Sequence, residues 1–278
     1  MILLAGFEPF GGDSSNPSWA AVLLARDILR AEGLQVEARE LPCVFGESAS
    51  VLLGAIERLR PELVICAGLA GGRDRLSLER VAINCDDARI SDNAGNRPVD
   101  QPVVPGGPAA YFSTLPLKPA LQALQIAGIR AEVSQTAGSY LCNHVFYALM
   151  HALAAAPVPD AGENGVPAVR GGFIHVPYAE VQASQEAMAS AAPATAFAAP
   201  ATAFAAPATA CAAPATASAA PATASAAPAP APATAAPSRP APARAMPLRD
   251  MAEGIAVVVR TSLSPNHASP AYLPMSAG

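Results

Sequence analysis

Apolar residues over the first 180 positions fall into short continuous runs, and these alternate with segments spaced as one face of a helix. Residues 2–5 form such a run and predict a strand. Asn16-Pro17 then offers an N-cap and a first-turn proline for a helix to residue 31, with Ala20, Leu23, Leu24 and Ile28 as its expected apolar face. A strand over 36–41, a helix over 48–59 stopped by Pro61 and a buried-type strand over 62–67 complete a βαβαβ order. Beyond these the pattern predicts a strand over 79–85 that begins at Glu79 and a long Asp/Asn/Gly/Pro-rich loop over 86–108. A helix over 119–127, a strand over 132–135, a helix over 143–155 and a strand over 173–176 follow. Such alternation defines an α/β class, a single-domain α/β/α sandwich with a mainly parallel central sheet flanked by helices.

From Ala191 the heptapeptide Ala-Ala-Pro-Ala-Thr-Ala-X recurs five times, with Phe197, Phe204, Cys211, Ser218 and Ser225 at the last place. A seven-residue period suits a coiled coil, but a proline inside a helix costs about 3 kcal/mol, so extended or disordered chain is expected instead. The same prolines exclude a membrane helix from the uncharged run 187–238. Helical spacing returns over 248–263, with Met251, Ile255, Val258 and Val259 on one face. Residues 1–188 and 247–265 are therefore expected to form one α/β domain and 266–278 a flexible tail. Residues 189–246 are expected to be a disordered insertion in a surface loop, where closure entropy grows only logarithmically with length. The insertion reads either as a spacer or interaction tract or as a neutral expansion.

A net charge of −5 with no run of cationic residues excludes a dedicated nucleic-acid binder. The opening MILLAGFEPFGG has no basic residue ahead of its apolar run and reads as a strand rather than a signal peptide, so a cytoplasmic protein without a membrane segment is expected. The five cysteines are odd in number and show no C-x-x-C or Cys/His ligand spacing. Neither a disulfide framework nor a metal site is expected, and no cofactor is implied.

Cys142 lies where a strand ends in a glycine turn and a helix begins. A helix N-terminus stabilises a thiolate, and its unpaired N–H groups suit an oxyanion. The alternative is a small buried filler. His175 falls in a strand near the sheet centre, either as the base for such a thiol or as a hydrogen-bonded core histidine. His144 and His151 read as packing or surface residues and His267 as an inert tail residue. Glu79 is the candidate acid to orient an imidazole; Asp86, Asp87 and Asp92 are its rivals, although loop acids are more often solvated turn formers. Glycine-rich turns at Gly11-Gly12 and Gly71-Gly72 leave open a non-catalytic α/β protein that cradles an anion, but no phosphate-loop, dinucleotide or nucleophile-elbow motif accompanies them.

Six blocks stand in order along the chain: Gly6-Phe-Glu-Pro-Phe-Gly-Gly12 with Asn16-Pro-Ser, Gly68-Leu-Ala-Gly-Gly-Arg73, Glu79-Arg-Val-Ala-Ile-Asn84, Asp87-Ala-Arg-Ile90 with Asp92-Asn93, Thr136-Ala-Gly138 with Cys142-Asn-His144, and Phe173-Ile-His-Val-Pro-Tyr178. Together they resemble the pyroglutamyl peptidase I family of cysteine peptidases, over about residues 1–178 and more weakly over the last helix. The resemblance implies hydrolysis of the amide bond after an N-terminal pyroglutamate of peptides, through a Glu79–Cys142–His175 triad and a thioester acyl-enzyme. It places the ring pocket on Phe7 and Phe10, with Ile90, Tyr140 and Leu141 as its remaining wall. Asn16 and the backbone near Leu69 become candidate polar contacts, and Arg89 either an electrostatic support near the acyl centre or a structural ion-pair member. A homo-oligomer, dimer or tetramer, is implied, with no metal and no cofactor. The chain departs from the family pattern at Tyr140, where many relatives have Phe, at Cys43, where a small hydroxyl residue is common, and in an extra Pro/Gly-rich piece over 156–170. The repeat has no counterpart in it.

Overall fold

The structure, a computed structural model, describes residues 1–155, 169–180 and 245–264. The tail expected over 266–278, the repeat itself, and most of the extra piece expected over 156–170 lie outside the described residues.

Eight strands and five helices are described: β1 Ile2–Phe7, α1 Pro17–Ala31, β2 Val36–Leu41, α2 Glu47–Leu59, β3 Leu63–Leu69, β4 Leu76–Glu79, β5 Val81–Ile83, β6 Ala110–Phe112, α3 Leu117–Ile126, β7 Ala131–Ser134, α4 Leu141–Ala155, β8 Arg170–Val176 and α5 Leu248–Leu263. Six strands form one sheet in the order β2-β1-β3-β8-β4-β7, parallel throughout except between β4 and β8. Strand periodicity sends alternate residues to opposite faces. Ile2 and Leu4, Leu63, Ile65 and Ala67, Leu76 and Leu78, and Ile174 and Val176 face a core closed by α1, α3 and α5. Leu3, Ala5 and Phe7, Val64 and Cys66, and Phe173 face a second core closed by α2 and α4. The same alternation puts Gly68, Glu79 and His175 on this second face, under α4. The three-layer architecture expected from the sequence is the one observed.

Two expectations are corrected. Helix α1 buries Ala21, Val22, Ala25 and Leu29, whereas Ala20, Leu23, Leu24 and Ile28 stay on its flanks. The reason is a close approach at Gly6, where a Cβ would lie 2.8 Å from Trp19 Cα and 2.9 Å from Trp19 N. A helix start held that near the sheet fixes which side of α1 turns inward. Gly6→Ala is accordingly expected to lower stability by about 2 kcal/mol, read as a fall in the thermal midpoint, because backbone rather than a movable side chain blocks the methyl.

The strand expected over 79–85 is broken. Glu79 ends β4 instead of beginning a strand, and residues 81–83 leave the sheet to pair antiparallel with β6. The two-stranded ribbon so formed was hidden in the sequence because Ala110-Tyr111-Phe112 is too short a run to signal a partner. The loop over 86–108 is tied down by an Asp86–Gln101 bridge and by Asn84, whose side chain bonds the backbone of Val104 and Gly107.

Helix α5 buries Met251, Ile255, Val258 and Val259 as its spacing predicts, in the same core as α1 and α3. Met246 N–H donates to Tyr178 O at 3.0 Å, so the chain before residue 181 and after residue 244 meets at adjacent points. Among the described residues, no helix is long and apolar enough to cross a membrane, and no cluster of three His, Cys, Asp or Glu residues could hold a metal ion.

Candidate active site

Cys142 is the second residue of α4. The turn before it passes through Gly138 at φ +80°, a left-handed conformation that glycine adopts without strain, and is held by Gly138 N–H to Thr136 Oγ1 and Ser139 Oγ–H to Asp87 O. The first helical bond runs from His144 N–H to Tyr140 O, which leaves the N–H of Cys142 without an intrahelical acceptor. Asn143, fully buried, accepts the Ile83 N–H and donates to Ile83 O and Cys85 O, pinning the helix start to β5.

The sulfur of Cys142 points at the sheet beside Gly68. A Cβ on Gly68 would lie 2.7 Å from Cys142 Sγ and 2.7 Å from Phe173 Cζ, so only glycine leaves room for the thiol there. Gly68 pairs directly with His175 across β3 and β8. His175 is buried, its ring packed against Phe173 at 5.0 Å, and its Nδ1 lies 2.7 Å from Glu79 Oε1. Glu79 has no exposed surface, and the same Oε1 takes the Arg73 guanidinium at 2.6 Å, while Arg73 also donates to Thr136 O. An ion-paired carboxylate at Nδ1 makes that nitrogen the donor and leaves Nε2 as the acceptor in the neutral ring. Glu79 Oε2 has no hydrogen-bond partner among the described residues.

Electrostatics correct one expectation. The helix terminus was expected to lower the Cys142 thiol, but burial pushes it up to about 12, with Glu79 adding to the rise and Arg73 opposing it. Burial pushes His175 down, against the pull of Glu79 and with help from Arg73. Both shifts favour the neutral thiol and the neutral imidazole. Alkylation of Cys142 by iodoacetamide is therefore expected to rise about tenfold per pH unit between pH 6.5 and 9. A rate already level at pH 7, read by mass mapping, would show a resting thiolate–imidazolium pair instead.

The residues expected to line a ring pocket lie in several settings. Phe10 and Tyr140 meet with ring centroids 6.4 Å apart, and Tyr140 O–H donates to Ser91 O. Phe45, absent from the expected set, packs edge-on against Tyr140 at 5.4 Å. Its signal was the apolar Cys43-Val-Phe run ahead of Gly46, which reads equally as core. Phe7 and Leu141 are buried within the second core, Leu69 ends β3, and Ile90 is about half exposed. Cys43 is buried, its thiol donating to Glu8 O and its backbone N–H to Glu8 Oε1. Burial pushes this thiol far up, and the Cys142 sulfur is among the neighbours that add to the rise.

Asn16 caps α1, its Oδ1 accepting from Ser18 N–H and Oγ–H and its Nδ2 donating to Glu8 O, so its side chain is occupied by the fold. Arg89 is exposed and makes no ion pair among the described residues; the cation beside the acid is Arg73. Asp86 and Asp92, expected as solvated turn formers, are buried, Asp86 against His144 and Asp92 accepting from Phe45 N–H, Ala94 N–H and the Asn96 amide.

A thiol at a helix start and a carboxylate-bound imidazole, gathered on one face of a mainly parallel sheet, define the class: an α/β protein built for acyl transfer through sulfur. The pyroglutamyl peptidase family model matches residues 1–212. Pyrrolidone-carboxylate peptidase of Escherichia fergusonii is 53% identical over 183 residues, covering 66% of this chain and 80% of the relative, and that of Klebsiella pneumoniae is 56% identical with the same coverage. Among solved structures, pyroglutamyl peptidase I of Bacillus amyloliquefaciens aligns with a TM-score of 0.64 at 31% identity, over 94% of this chain and 95% of that one. Pyrrolidone carboxyl peptidase of Pyrococcus furiosus aligns at 0.67 and 32%, over 94% and 97%. The chain belongs to the pyroglutamyl peptidase family.

Proposed function

We propose that this protein is a cysteine omega-peptidase that hydrolyses the amide bond after an N-terminal pyroglutamate, with Cys142, His175 and Glu79 as its triad. The observation that carries this assignment is the 2.7 Å bond from His175 Nδ1 to Glu79 Oε1 on the sheet face where the Cys142 sulfur meets Gly68. His175 Nε2 takes the thiol proton as sulfur attacks the pyroglutamyl carbonyl, and the oxyanion gathers on the free N–H groups at the start of α4. Collapse of the adduct breaks the C–N bond, and the imidazolium returns the proton to the leaving amine. Water, deprotonated by the same Nε2, then cleaves the thioester and restores the thiol. Glu79 holds the ring in the required tautomer, and Arg73 compensates the buried carboxylate.

The five-membered lactam has an apolar ring with one N–H/C=O edge, which suits a wall of Phe10, Phe45, Tyr140 and Ile90 with few polar groups. Action in the cytoplasm belongs to the same proposal, supported by four free cysteines among the described residues, as does assembly into a dimer or tetramer. The domain division proposed with it makes residues 189–246 an insertion that leaves the catalytic layers intact, consistent with the meeting of Tyr178 and Met246.

Coumarin amides of pyroglutamate, proline and glutamate, offered to the reduced protein, test the assignment. Turnover confined to the pyroglutamyl amide is expected. Comparable turnover of the prolyl amide, or none of the pyroglutamyl one, would remove it.

A further inference from the structure

Two residues after Cys142, helix α4 buries a second imidazole that the proposed chemistry does not use. His144 Nδ1 lies 2.7 Å from Asp86 Oδ2, and its Nε2 accepts the Gly46 N–H at 3.1 Å. A nitrogen that accepts carries no proton, so the ring proton sits on Nδ1 and is donated to Asp86; the ring is held in one tautomer. Asp86 is itself fixed, its backbone paired in both directions with Gln101. Its Oδ1 is buried without a partner among the described residues, so its side chain is committed to His144 alone.

The bond to Gly46 matters because of what precedes it. Gly46 is the N-cap of α2, at φ +75° and without a side-chain cap, and Phe45 stands next to it. The Phe45 ring meets the His144 ring edge-on at 5.4 Å and the Tyr140 ring edge-on at 5.4 Å. Its N–H is donated to Asp92 Oδ2 at 2.8 Å. Phe45 is thus clamped between an imidazole two residues after the nucleophile and a phenol two residues before it.

We infer that His144 and Asp86 are positioning residues for recognition of the acyl ring: through Gly46 they hold Phe45 against Tyr140, and so fix the pocket wall to the helix turn that carries the thiol. The inference rests on the pyroglutamyl reading and deepens it by assigning ring recognition to a pair outside the triad. It separates binding from chemistry, because neither residue touches Cys142, His175 or Glu79 among the described contacts.

The test uses steady-state hydrolysis of the pyroglutamyl coumarin amide by the full chain. His144→Phe keeps an aromatic ring but loses the acceptor, and is expected to raise KM about tenfold while kcat stays within about threefold. Iodoacetamide alkylation of Cys142 should be unchanged in this variant. His144→Gln, whose carbonyl reaches the place of Nε2, should bring KM back towards the wild-type value. Phe45→Leu, at a half-buried site that does not threaten folding, should raise KM on its own, and His144→Phe added to it should change KM by less than about twofold. An unchanged KM in Phe45→Leu, a loss confined to kcat, or simple additivity in the double variant would each overturn the inference. A wild type silent on the pyroglutamyl amide would instead remove the functional proposal, and this inference with it.

Discussion

Cys142→Ala is expected to lower turnover of a pyroglutamyl amide by at least about 10⁴-fold, with the thermal midpoint within a few degrees of wild type. The size follows from the role, since Cys142 carries the thiol that the start of α4 sets beside Gly68 and its strand partner His175. The pocket and the free N–H groups remain, so KM should change little. Stability should hold because the side chain is half-buried against Gly68, where loss of one sulfur leaves a small space at the edge of the core rather than within it. Cys142→Ser, with a hydroxyl far harder to ionise than a thiol in the same buried surroundings, should be nearly as inactive. Circular dichroism and turnover on one sample separate the outcomes; substantial activity in a folded alanine variant would mean that another group attacks.

Gly68→Ala comes second in size, with an expected fall in kcat/KM of about 10²-fold or more and a destabilisation of about 1–3 kcal/mol. The added methyl would lie 2.7 Å from both Cys142 Sγ and Phe173 Cζ. Phe173 is fully buried between Phe7 and Phe146, whereas the cysteine side chain needs only a rotamer change to escape. The sulfur is therefore the group that moves, away from the strand pair Gly68–His175. Because a displacement of about 1 Å is enough to cost two orders of magnitude, a folded Gly68→Ala protein with wild-type kcat/KM would contradict the placement of the thiol.

Much of the architecture was legible because it is written locally. Asn16-Pro17 opens α1, the proline-punctuated heptads exclude a coiled coil, and the Met251, Ile255, Val258 and Val259 spacing predicts the buried face of α5. The orientation of α1 was not legible, since its flanking leucines satisfy helical spacing as well as Ala21 and Ala25 do. Only the contact of Gly6 with Trp19 selects between them. Likewise Glu79 reads from sequence as the start of an apolar run, and its true place at the end of β4 depends on a ribbon partner some thirty residues further on.

By itself, the sequence determined the α/β class, the order of elements, a thiol at a helix start and a histidine in a strand. Each of these depends on spacing, capping and turn residues within a few positions of one another. Tertiary structure alone decided that His175 meets Glu79, that Arg73 is the cation on that carboxylate, that Phe45 packs against Tyr140, that burial raises the Cys142 thiol, and that His144 answers to Asp86 and Gly46. The bonds concerned join residues 96, 58 and 98 positions apart, from His175 to Glu79, His144 to Asp86 and Gly46 to His144. Strand order and register bring such pairs together, and these are set by how two hydrophobic cores close on opposite faces of one sheet, a property of the whole chain that no local pattern contains.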